Sequence, residues 1–180
     1  MSSEQTGPVR VGIVGAGYIS DIYLTNLTTR FDNVAVVAVA DMIVERARDR
    51  AATYGVWGLT VYELLADPEV ELVVNLTIPL AHAEVALAAV RAGKSVYNEK
   101  PLTAAREDGR ELLLLAREKG VFVGGAPDTF LGGGLQTGRK LLDDGAIGRP
   151  IAASATMFTR GHERWHPDPA FYYQPGAGPM

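Results

Sequence analysis

The chain has 180 residues, a formal net charge of −4 and a pI near 5.4; 47% of the residues are hydrophobic and 21% are charged. This composition is typical of a globular protein with a hydrophobic core, and its acidic balance argues against nucleic acid or an anionic membrane as the main partner. Cysteine is absent, which excludes disulfides, thiolate nucleophiles and cysteine-ligated zinc within these residues.

Apolar runs alternate with amphipathic segments over the first two thirds of the chain. The predicted strands are Val9–Val14, Val34–Ala40, Val70–Leu76, Ser95–Asn98 and Val121–Gly124. The predicted helices are Gly17–Thr28, Val44–Tyr54, Val61–Ala66, Ala81–Ala92 and Thr103–Lys119. This order of strands and helices predicts an α/β fold, in which helices cover both faces of a doubly wound parallel sheet.

The pattern changes after Gly125. Phe130–Gly134 reads as a glycine-rich hinge, Leu135–Asp144 as a helix and Arg149–Thr159 as one more strand, while residues 160–180 show no regular period. A lone strand does not make a stable domain. We therefore expect the last part of the chain to be the beginning of a second domain.

The hydropathy pattern shows no targeting or membrane-spanning segment. Met1–Gly7 is polar and has no positive charge before an apolar run, unlike a signal peptide. The longest apolar run, Val34–Ala40, is far shorter than a membrane span. We expect a cytoplasmic protein without a membrane partner.

A glycine-rich loop, Gly15-Ala16-Gly17-Tyr18-Ile19-Ser20, lies between the first predicted strand and the first predicted helix. Its pattern, G-x-G-x-x-S, differs at one position from the dinucleotide-binding fingerprint. In that interpretation Gly15 makes the tight turn, Gly17 lets a pyrophosphate approach the backbone, and Ser20 is small enough for close helix–strand packing. An ordinary turn between a strand and a helix is the alternative.

Asp41 directly follows the most apolar strand. An acidic residue there can accept hydrogen bonds from both hydroxyls of the adenosine ribose and repels a 2′-phosphate, which favours NAD over NADP. Asp41 could also cap the helix Val44–Tyr54, and the two roles are compatible. Together with the glycine loop, Asp41 predicts a Rossmann-type sheet that binds a dinucleotide.

Three other strand ends carry polar residues: Thr77-Ile78-Pro79, Asn98-Glu99-Lys100-Pro101 and Ala126-Pro127-Asp128-Thr129. The carboxyl ends of parallel strands lie along one edge of the sheet, where ligands bind. The sequence therefore predicts one crevice lined by Gly15, Asp41, Thr77, Glu99, Lys100 and Asp128.

The chain resembles the Gfo/Idh/MocA family, which includes glucose–fructose oxidoreductase and inositol dehydrogenase. The resemblance rests on VGIVGAGYIS (11–20), AD (40–41), TIPLAHAEVALAAVRAGKSVYNEKPL (77–102) and DDGAIGRPIAA (143–153), with Glu99-Lys100-Pro101 as its most specific part. It implies an NAD(P)-dependent oxidoreductase in which a larger α+β domain, built on an antiparallel sheet, covers the nicotinamide and forms a homo-oligomer. We expect residues 8–126 to form the dinucleotide-binding domain, 127–148 a hinge and crossover helix, and 149–180 the truncated start of the second domain.

The resemblance also implies roles for individual residues. Lys100 would contact the substrate at the reacting carbon as the catalytic group, and Glu99 would help position the nicotinamide ribose; a surface ion pair is the alternative. A lysine in a partly dry cleft can stabilise a developing alkoxide and relay a proton. The family commonly has a histidine where His82 stands, near the cofactor edge, although a structural hydrogen bond at a helix start explains His82 equally well. The expected cofactor-binding set is Gly15, Gly17, Tyr18, Ile19, Asp41, Thr77, Pro79, His82, Glu99 and Lys100.

Residues 162–166, His-Glu-Arg-Trp-His, match the H-E-x-x-H pattern of zinc proteases. That chemistry needs both histidines on one face of a helix, and Pro167 disfavours helical geometry at His166. The alternatives are a solvated loop that matches the pattern by chance, a non-catalytic metal site of His162, His166 and Asp168, or, as the family resemblance implies, a loop that returns over the cofactor crevice. We favour the returning loop and predict no metal. Trp165 and His166, together with Asp128, would then contact the substrate.

These interpretations lead to one principal hypothesis, an enzyme that transfers a hydride between nicotinamide and a secondary alcohol of a sugar, cyclitol or related polyol. A second hypothesis keeps NAD bound and uses transient oxidation for glycoside cleavage or elimination. A third is a nucleotide-binding module without catalysis of its own.

Overall fold

The computed structural model describes residues 7–175. The strands are β1 (Val9–Val14), β2 (Val34–Ala40), β3 (Trp57–Leu59), β4 (Leu72–Asn75), β5 (Ser95–Asn98) and β6 (Val123–Gly125). The α-helices are α1 (Ser20–Thr29), α2 (Val44–Tyr54), α3 (Val61–Ala66), α4 (His82–Arg91), α5 (Arg106–Lys119) and α6 (Gly133–Asp143). Short 3₁₀ helices cover Pro79–Ala81, Thr129–Leu131, His162–Arg164 and Ala170–Tyr173.

All strand pairs in the single six-stranded sheet are parallel, and the strand order is β3-β2-β1-β4-β5-β6. The chain winds outward in one direction from β1 to β3 and then returns to start again at β4 on the other side of β1. The predicted α/β fold is confirmed, and β1 and β4 meet at the switch point where ligands bind in doubly wound sheets.

Each face of the sheet carries its own hydrophobic core. Val11 and Ile13 of β1 face a cluster that contains Leu24 of α1 and Ala47 of α2. Val14 of β1 belongs to the opposite cluster, whose buried members include residues of α3, α4 and α5: Leu64, Ala86, Leu87, Ala89, Val90, Leu112 and Ala116. The alternation along β1 follows from the two-residue period of a strand, and it explains why the inner strands are apolar on both faces.

The edge strand β3 was not predicted. Its three residues are too few to show a hydrophobic period, and its first residue, Trp57, is mostly exposed. Gly58 is nevertheless required here, because a Cβ atom at this position would lie 2.6 Å from the Cα atom of Arg48 in α2. The close approach of α2 to the sheet thus depends on this glycine.

The predicted strand Arg149–Thr159 is wrong, because these residues form no strand in the structure. A strand needs a neighbour that accepts and donates its backbone hydrogen bonds, and within residues 7–175 no further strand follows β6 to provide one. The side chains of Ile151 and Phe158 are consequently almost fully exposed. No helix within residues 7–175 is long and apolar enough to cross a membrane.

Burial separates two neighbouring leucines on α5. Leu112 is 0% exposed and lies in the core under β4 and β5, whereas Leu113 is 52% exposed. We expect Leu112→Ala to lower the free energy of unfolding by about 2–5 kcal/mol, because it removes buried methyl groups and leaves a cavity. Leu113→Ala is the matched control and should cost less than about 1 kcal/mol. Urea unfolding followed by circular dichroism measures both losses, and equal losses would contradict this packing.

Candidate functional site

The two glycines of the loop after β1 have different structural roles. Gly15 has a φ of +106°, and an added Cβ atom would lie 2.7 Å from the carbonyl carbon of Leu76. Gly15 is therefore required for the turn to pass the end of β4. Gly17 has no positive φ, and nothing lies within 4 Å of an added Cβ atom. The fold leaves the space in front of Gly17 open, so a ligand can approach the backbone there.

The backbone amides at the start of α1 form a cradle for an anion. Within the described residues, the N–H groups of Gly17, Tyr18 and Ile19 donate no hydrogen bond. Ser20 is fully buried, and its hydroxyl donates to the carbonyl oxygen of Gly17 over 2.7 Å. Unpaired N–H groups at a helix N-terminus attract negative charge, and a pyrophosphate group suits this cradle.

Asp41 connects the glycine loop to the start of α2. Its Oδ2 atom accepts a hydrogen bond from the Ala16 N–H over 2.7 Å, and its Oδ1 atom accepts one from the Ile43 N–H over 2.9 Å. The N-cap residue of α2 is Ile43, so Asp41 braces the turn before the helix instead of occupying the cap position itself. Each carboxylate oxygen keeps a second lone pair that can accept a ligand hydroxyl.

A buried polar network joins the loops after β4 and β5. Asn75 is fully buried; its Oδ1 atom accepts from the Thr77 hydroxyl over 2.7 Å, and its Nδ2 atom donates to the His82 carbonyl over 3.1 Å. The His82 ring is also fully buried, with Nε2 3.0 Å from the Thr77 carbonyl oxygen and Nδ1 2.6 Å from that of Pro101. His82 therefore links the Thr77 loop to the carbonyl group of Pro101, the residue that follows the cis Lys100–Pro101 peptide bond.

Glu99 and Lys100 lie at the end of β5 and do not pair with each other through their side chains. The Glu99 carboxylate accepts hydrogen bonds from the Tyr23 hydroxyl over 2.7 Å and from the Lys100 backbone N–H over 2.8 Å. The exposed Lys100 ammonium makes no hydrogen bond or ion pair with residues 7–175, so it is free for a ligand. The expected alternative of a surface ion pair between these two side chains is not formed.

Lys94 shows the opposite behaviour. Lys94 is only 5% exposed. Its ammonium donates hydrogen bonds to the backbone carbonyls of Asp67 and Val70 over 2.6 and 2.8 Å. Burial lowers the pKa of Lys94, and the nearby Asp67 carboxylate partly opposes that change. Lys94 thus serves the fold, whereas Lys100 is the lysine available at the crevice.

The segment after residue 160 folds back against the glycine loop. The His162 ring stacks on Tyr172, with ring centres 4.1 Å apart, and the His166 ring lies 5.3 Å from Tyr172 and 6.0 Å from Tyr18. Trp165 contacts His166 edge-on, at 5.5 Å between ring centres. Burial, and then the negative charge of Glu99, raise the pKa of Tyr172. This aromatic cluster therefore lies over the same edge of the sheet as Glu99.

The H-E-x-x-H match does not lie on an α-helix. Only His162–Arg164 forms a short 3₁₀ helix, and the His166 Nδ1 atom accepts a hydrogen bond from the Asp168 N–H over 3.0 Å. In the part of the chain that the structure describes, no group of three His, Asp or Glu side chains is arranged to hold a metal ion. The His166 N–H donates to the His162 carbonyl over 2.9 Å, but this single turn is not continued into the α-helix on which a zinc protease carries both histidines.

Two residues of the site escaped the sequence analysis. Tyr23 reads as one apolar member of the helical face of α1, because spacing shows which face a residue occupies but not what its hydroxyl meets. Tyr172 lies in a segment without periodicity. A tyrosine on the sheet-facing side of the helix after a glycine loop is the only signal that could have identified Tyr23.

Comparison with known proteins agrees with this geometry. The family described as "Oxidoreductase family, NAD-binding Rossmann fold" matches residues 9–125, more than half of the chain. The chain belongs to the Gfo/Idh/MocA family. The predicted resemblance is confirmed, and the matched residues run from the start of β1 to the end of β6.

Among curated relatives, 1,5-anhydro-D-fructose reductase from Ensifer adhaerens is 36% identical over 146 residues, which cover 80% of this chain and 44% of the relative. The inositol 2-dehydrogenase/D-chiro-inositol 3-dehydrogenase of Lactiplantibacillus plantarum is 33% identical over 147 residues, or 79% of this chain and 42% of the relative. The chain thus spans less than half the length of these curated relatives.

Solved structures show the same fold. KijD10, a 3-ketoreductase from Actinomadura kijaniata in complex with NADP, has a TM-score of 0.73 and 30% identity and covers 79% of this chain and 46% of its own. The WlbA dehydrogenase from Bordetella pertussis, in complex with NADH and UDP-GlcNAcA, has a TM-score of 0.75 and 26% identity over 80% of this chain and 42% of its own. Relatives of this chain therefore include proteins with either cofactor.

The different roles of Gly15 and Gly17 can be tested separately. We expect Gly15→Ala to lower the free energy of unfolding by about 3 kcal/mol or more, because the methyl group meets the Leu76 backbone at a positive φ. Gly17→Ala should leave thermal unfolding unchanged but weaken ADP binding at least about tenfold, because its methyl group fills the open space. Gly138→Ala, at an open position on α6, is the control for both measurements. Calorimetric binding of ADP by Gly17→Ala with unaltered affinity would contradict the assignment of the cradle.

Proposed function

We propose that this protein is an NAD-dependent oxidoreductase that acts on a secondary alcohol of a sugar, cyclitol or related polyol. The observation that carries the proposal is the joint position of the open amide cradle at Gly17 and the unpaired Lys100 ammonium along one edge of the sheet. A dinucleotide stretched along that edge places its reactive end beside Lys100. The relatives named for inositol and anhydrofructose support this substrate class.

The residues present fit the cofactor. The N–H groups of residues 17–19 would bind the pyrophosphate, and Asp41 would accept hydrogen bonds from the adenosine ribose. Thr77, Pro79 and Glu99 would line the path to the nicotinamide. His82, buried beneath this path, would not touch the cofactor but would hold in position the loops that contain Thr77 and Pro101. When bound, the nicotinamide supplies the hydride acceptor or donor.

The charge at the end of β2 favours NAD over NADP. Asp41 is already engaged by two backbone N–H groups, which keep its carboxylate at this edge of the sheet. A 2′-phosphate would meet that carboxylate at close range, and two negative charges repel each other strongly in a partly dehydrated site. We therefore assign NAD as the cofactor, although the family contains structures with each one.

Lys100 is the proposed catalytic residue. Its ammonium has no partner within residues 7–175 and so can donate a hydrogen bond to the carbinol oxygen of the substrate. As the hydride leaves the carbon, negative charge develops on that oxygen, and the positive charge of Lys100 stabilises it. For the hydroxyl proton to leave, Lys100 first releases a proton to solvent; its neutral amine then accepts the hydroxyl proton, and the ammonium that this forms carries the positive charge beside the oxygen.

The aromatic cluster after residue 160 provides the proposed substrate side of the crevice. Trp165 and His166 present apolar ring faces and one polar edge above the glycine loop, a combination that suits the C–H faces and hydroxyls of a polyol. Asp128, after β6, would accept a further substrate hydroxyl.

We also propose a role for the rest of the chain. Residues 127–148 are the hinge and crossover helix, and residues 149–180 begin a second domain through which the protein forms a homo-oligomer. The protein is cytoplasmic, and neither nucleic acid nor a membrane is a partner.

A second candidate is a dinucleotide-binding module without catalysis in these 180 residues. It is supported by the family match, which is described as an NAD-binding Rossmann fold and covers residues 9–125. Both candidate functions include NAD binding, but only the oxidoreductase turns over a substrate.

Asp41 tests the assignment of NAD. We expect Asp41→Ala to reduce the ratio of NAD to NADP affinity by at least about tenfold, because it removes both the ribose acceptor and the repulsion of the 2′-phosphate. Asp32→Ala makes the same change in net charge at the opposite edge of the sheet and should leave the ratio unaltered. Isothermal titration with both dinucleotides measures the ratio. An unchanged ratio in Asp41→Ala would remove Asp41 from cofactor selection.

Lys100 tests the chemistry. We expect Lys100→Ala to lower turnover of a polyol substrate about 100-fold or more while NAD affinity stays within a few fold, because the lysine acts on the alcohol and not on the cofactor. Lys119→Ala, at the far end of α5, is the matched control. Formation of NADH with a panel of cyclitols and sugars is the measurement. Equal turnover by the Lys100 variant would reject its catalytic role, and binding of NAD without any turnover by the unaltered chain would favour the second candidate.

A further inference from the structure

The Glu99 carboxylate is held from two sides. Its Oε2 atom accepts the backbone N–H of the next residue, Lys100, over 2.8 Å. Its Oε1 atom accepts the hydroxyl of Tyr23 over 2.7 Å. The first contact is local to the loop after β5, whereas the second comes from α1, 76 residues earlier in the chain. Only the Tyr23 contact therefore relates the position of Glu99 to the glycine loop.

Tyr23 is well placed for this contact. It lies one turn after Ser20 on α1, and its half-buried ring packs against the core cluster that contains Leu24 and Ile13. This packing fixes the ring, so the hydroxyl reaches the Glu99 carboxylate from a rigid helix. The contact thus joins α1, which follows β1, to the loop after β5, and β4 lies between these two strands in the sheet.

The Tyr23 hydroxyl stays protonated and can therefore donate to Glu99 at all times. Burial raises the pKa of its hydroxyl far above the ordinary range, and the hydrogen bond to Glu99, the charge of Glu99 and the nearby Tyr97 and Asp128 raise the pKa further. The hydroxyl consequently keeps its proton throughout the physiological pH range. A hydrogen bond from a neutral phenol to a carboxylate is stronger than one between two neutral groups.

We infer that Tyr23 is a positioning residue, which holds the Glu99 carboxylate so that its remaining lone pairs meet the hydroxyls of the second ribose of the dinucleotide, the one farther from adenine. The inference rests on the proposed function. Without Tyr23, the Glu99 side chain keeps one contact to its own loop and regains rotational freedom, and that freedom must be lost again when the ribose binds. The pyrophosphate cradle and Asp41 do not depend on this contact.

Three ligands separate the effect on the second ribose from effects elsewhere. ADP occupies the cradle and the adenosine side only, ADP-ribose adds the second ribose, and NAD adds the nicotinamide. In titration calorimetry with the 180-residue chain, we expect Tyr23→Phe to weaken ADP-ribose and NAD roughly tenfold, a ratio that corresponds to about 1.4 kcal/mol, and to leave ADP unchanged.

Tyr54→Phe is the matched control. Tyr54 packs against the same core cluster, and its hydroxyl donates to the Asp21 carboxylate over 2.8 Å, away from Glu99. The substitution therefore removes the same kind of phenol–carboxylate hydrogen bond, here from a more exposed position. It should leave the affinities of all three ligands unaltered, and thermal unfolding of the two tyrosine variants reports any loss of stability separately from the loss of binding.

The Glu99→Ala variant tests the same inference without disturbing α1. It should reproduce the selective loss of ADP-ribose affinity, and the further change Tyr23→Phe in this background should have no additional effect on ligand binding, because the group that Tyr23 holds is gone. A tyrosine that only stabilised the fold would act equally in both backgrounds. If Tyr23→Phe fails to fold, Glu99→Ala still decides whether the carboxylate acts on the second ribose.

Several results would overturn the inference. These are equal ADP-ribose affinity in Tyr23→Phe and the unaltered chain, an equal loss for ADP and ADP-ribose, or no selective loss in Glu99→Ala. Failure of the unaltered chain to bind ADP would instead reject the proposed function itself, and the inference with it.

Discussion

The crevice depends on the close approach of Gly15 to the backbone of Leu76. This contact brings the ends of β1 and β4 together at the switch point and turns the chain so that α1 starts above it. A side chain at this position would displace the loop, because the obstacle is backbone and cannot move aside. The direction of α1, the orientation of its three unpaired N–H groups and the position of Tyr23 all follow from this turn.

A second constraint acts beneath the crevice, where buried polar groups have to find partners. Three fully buried side chains lie there: Asn75 and Asn98 at the ends of β4 and β5, and His82 at the start of α4. Their hydrogen bonds to backbone carbonyls hold the neighbouring loops in place. The Oδ1 atom of Asn98 has no hydrogen-bond partner in the described structure. The polar residues at the strand ends thus support the site from below, and the groups above them, the half-buried Glu99 and the exposed Lys100, remain available.

The two lysines near β5 illustrate why composition alone could not define the site. Lys94 and Lys100 are six positions apart at either end of the same strand, and both carry an ammonium on a flexible stem. One folds inward to satisfy two carbonyl oxygens, and the other has no partner within residues 7–175. The motif Glu-Lys-Pro distinguished them in advance through a family resemblance, whereas the physical reason for the difference is visible only in the packing.

The sequence by itself determined the parallel sheet, most helix and strand bounds to within a few residues, and the row of polar strand ends. The hydrophobic period, the glycines that end helices and the alternation of strands with helices all depend on neighbours along the chain. It failed at β3, which is too short to show a period, and at Arg149–Thr159, whose pattern suits a strand that has no partner within the described residues. Only the tertiary structure decided which glycine serves the fold and which leaves open space, which lysine is free, and that Tyr23 contacts Glu99. These facts depend on atoms that meet across 24 residues of chain for Lys94 and Val70 and 76 for Tyr23 and Glu99. No local pattern encodes such a meeting.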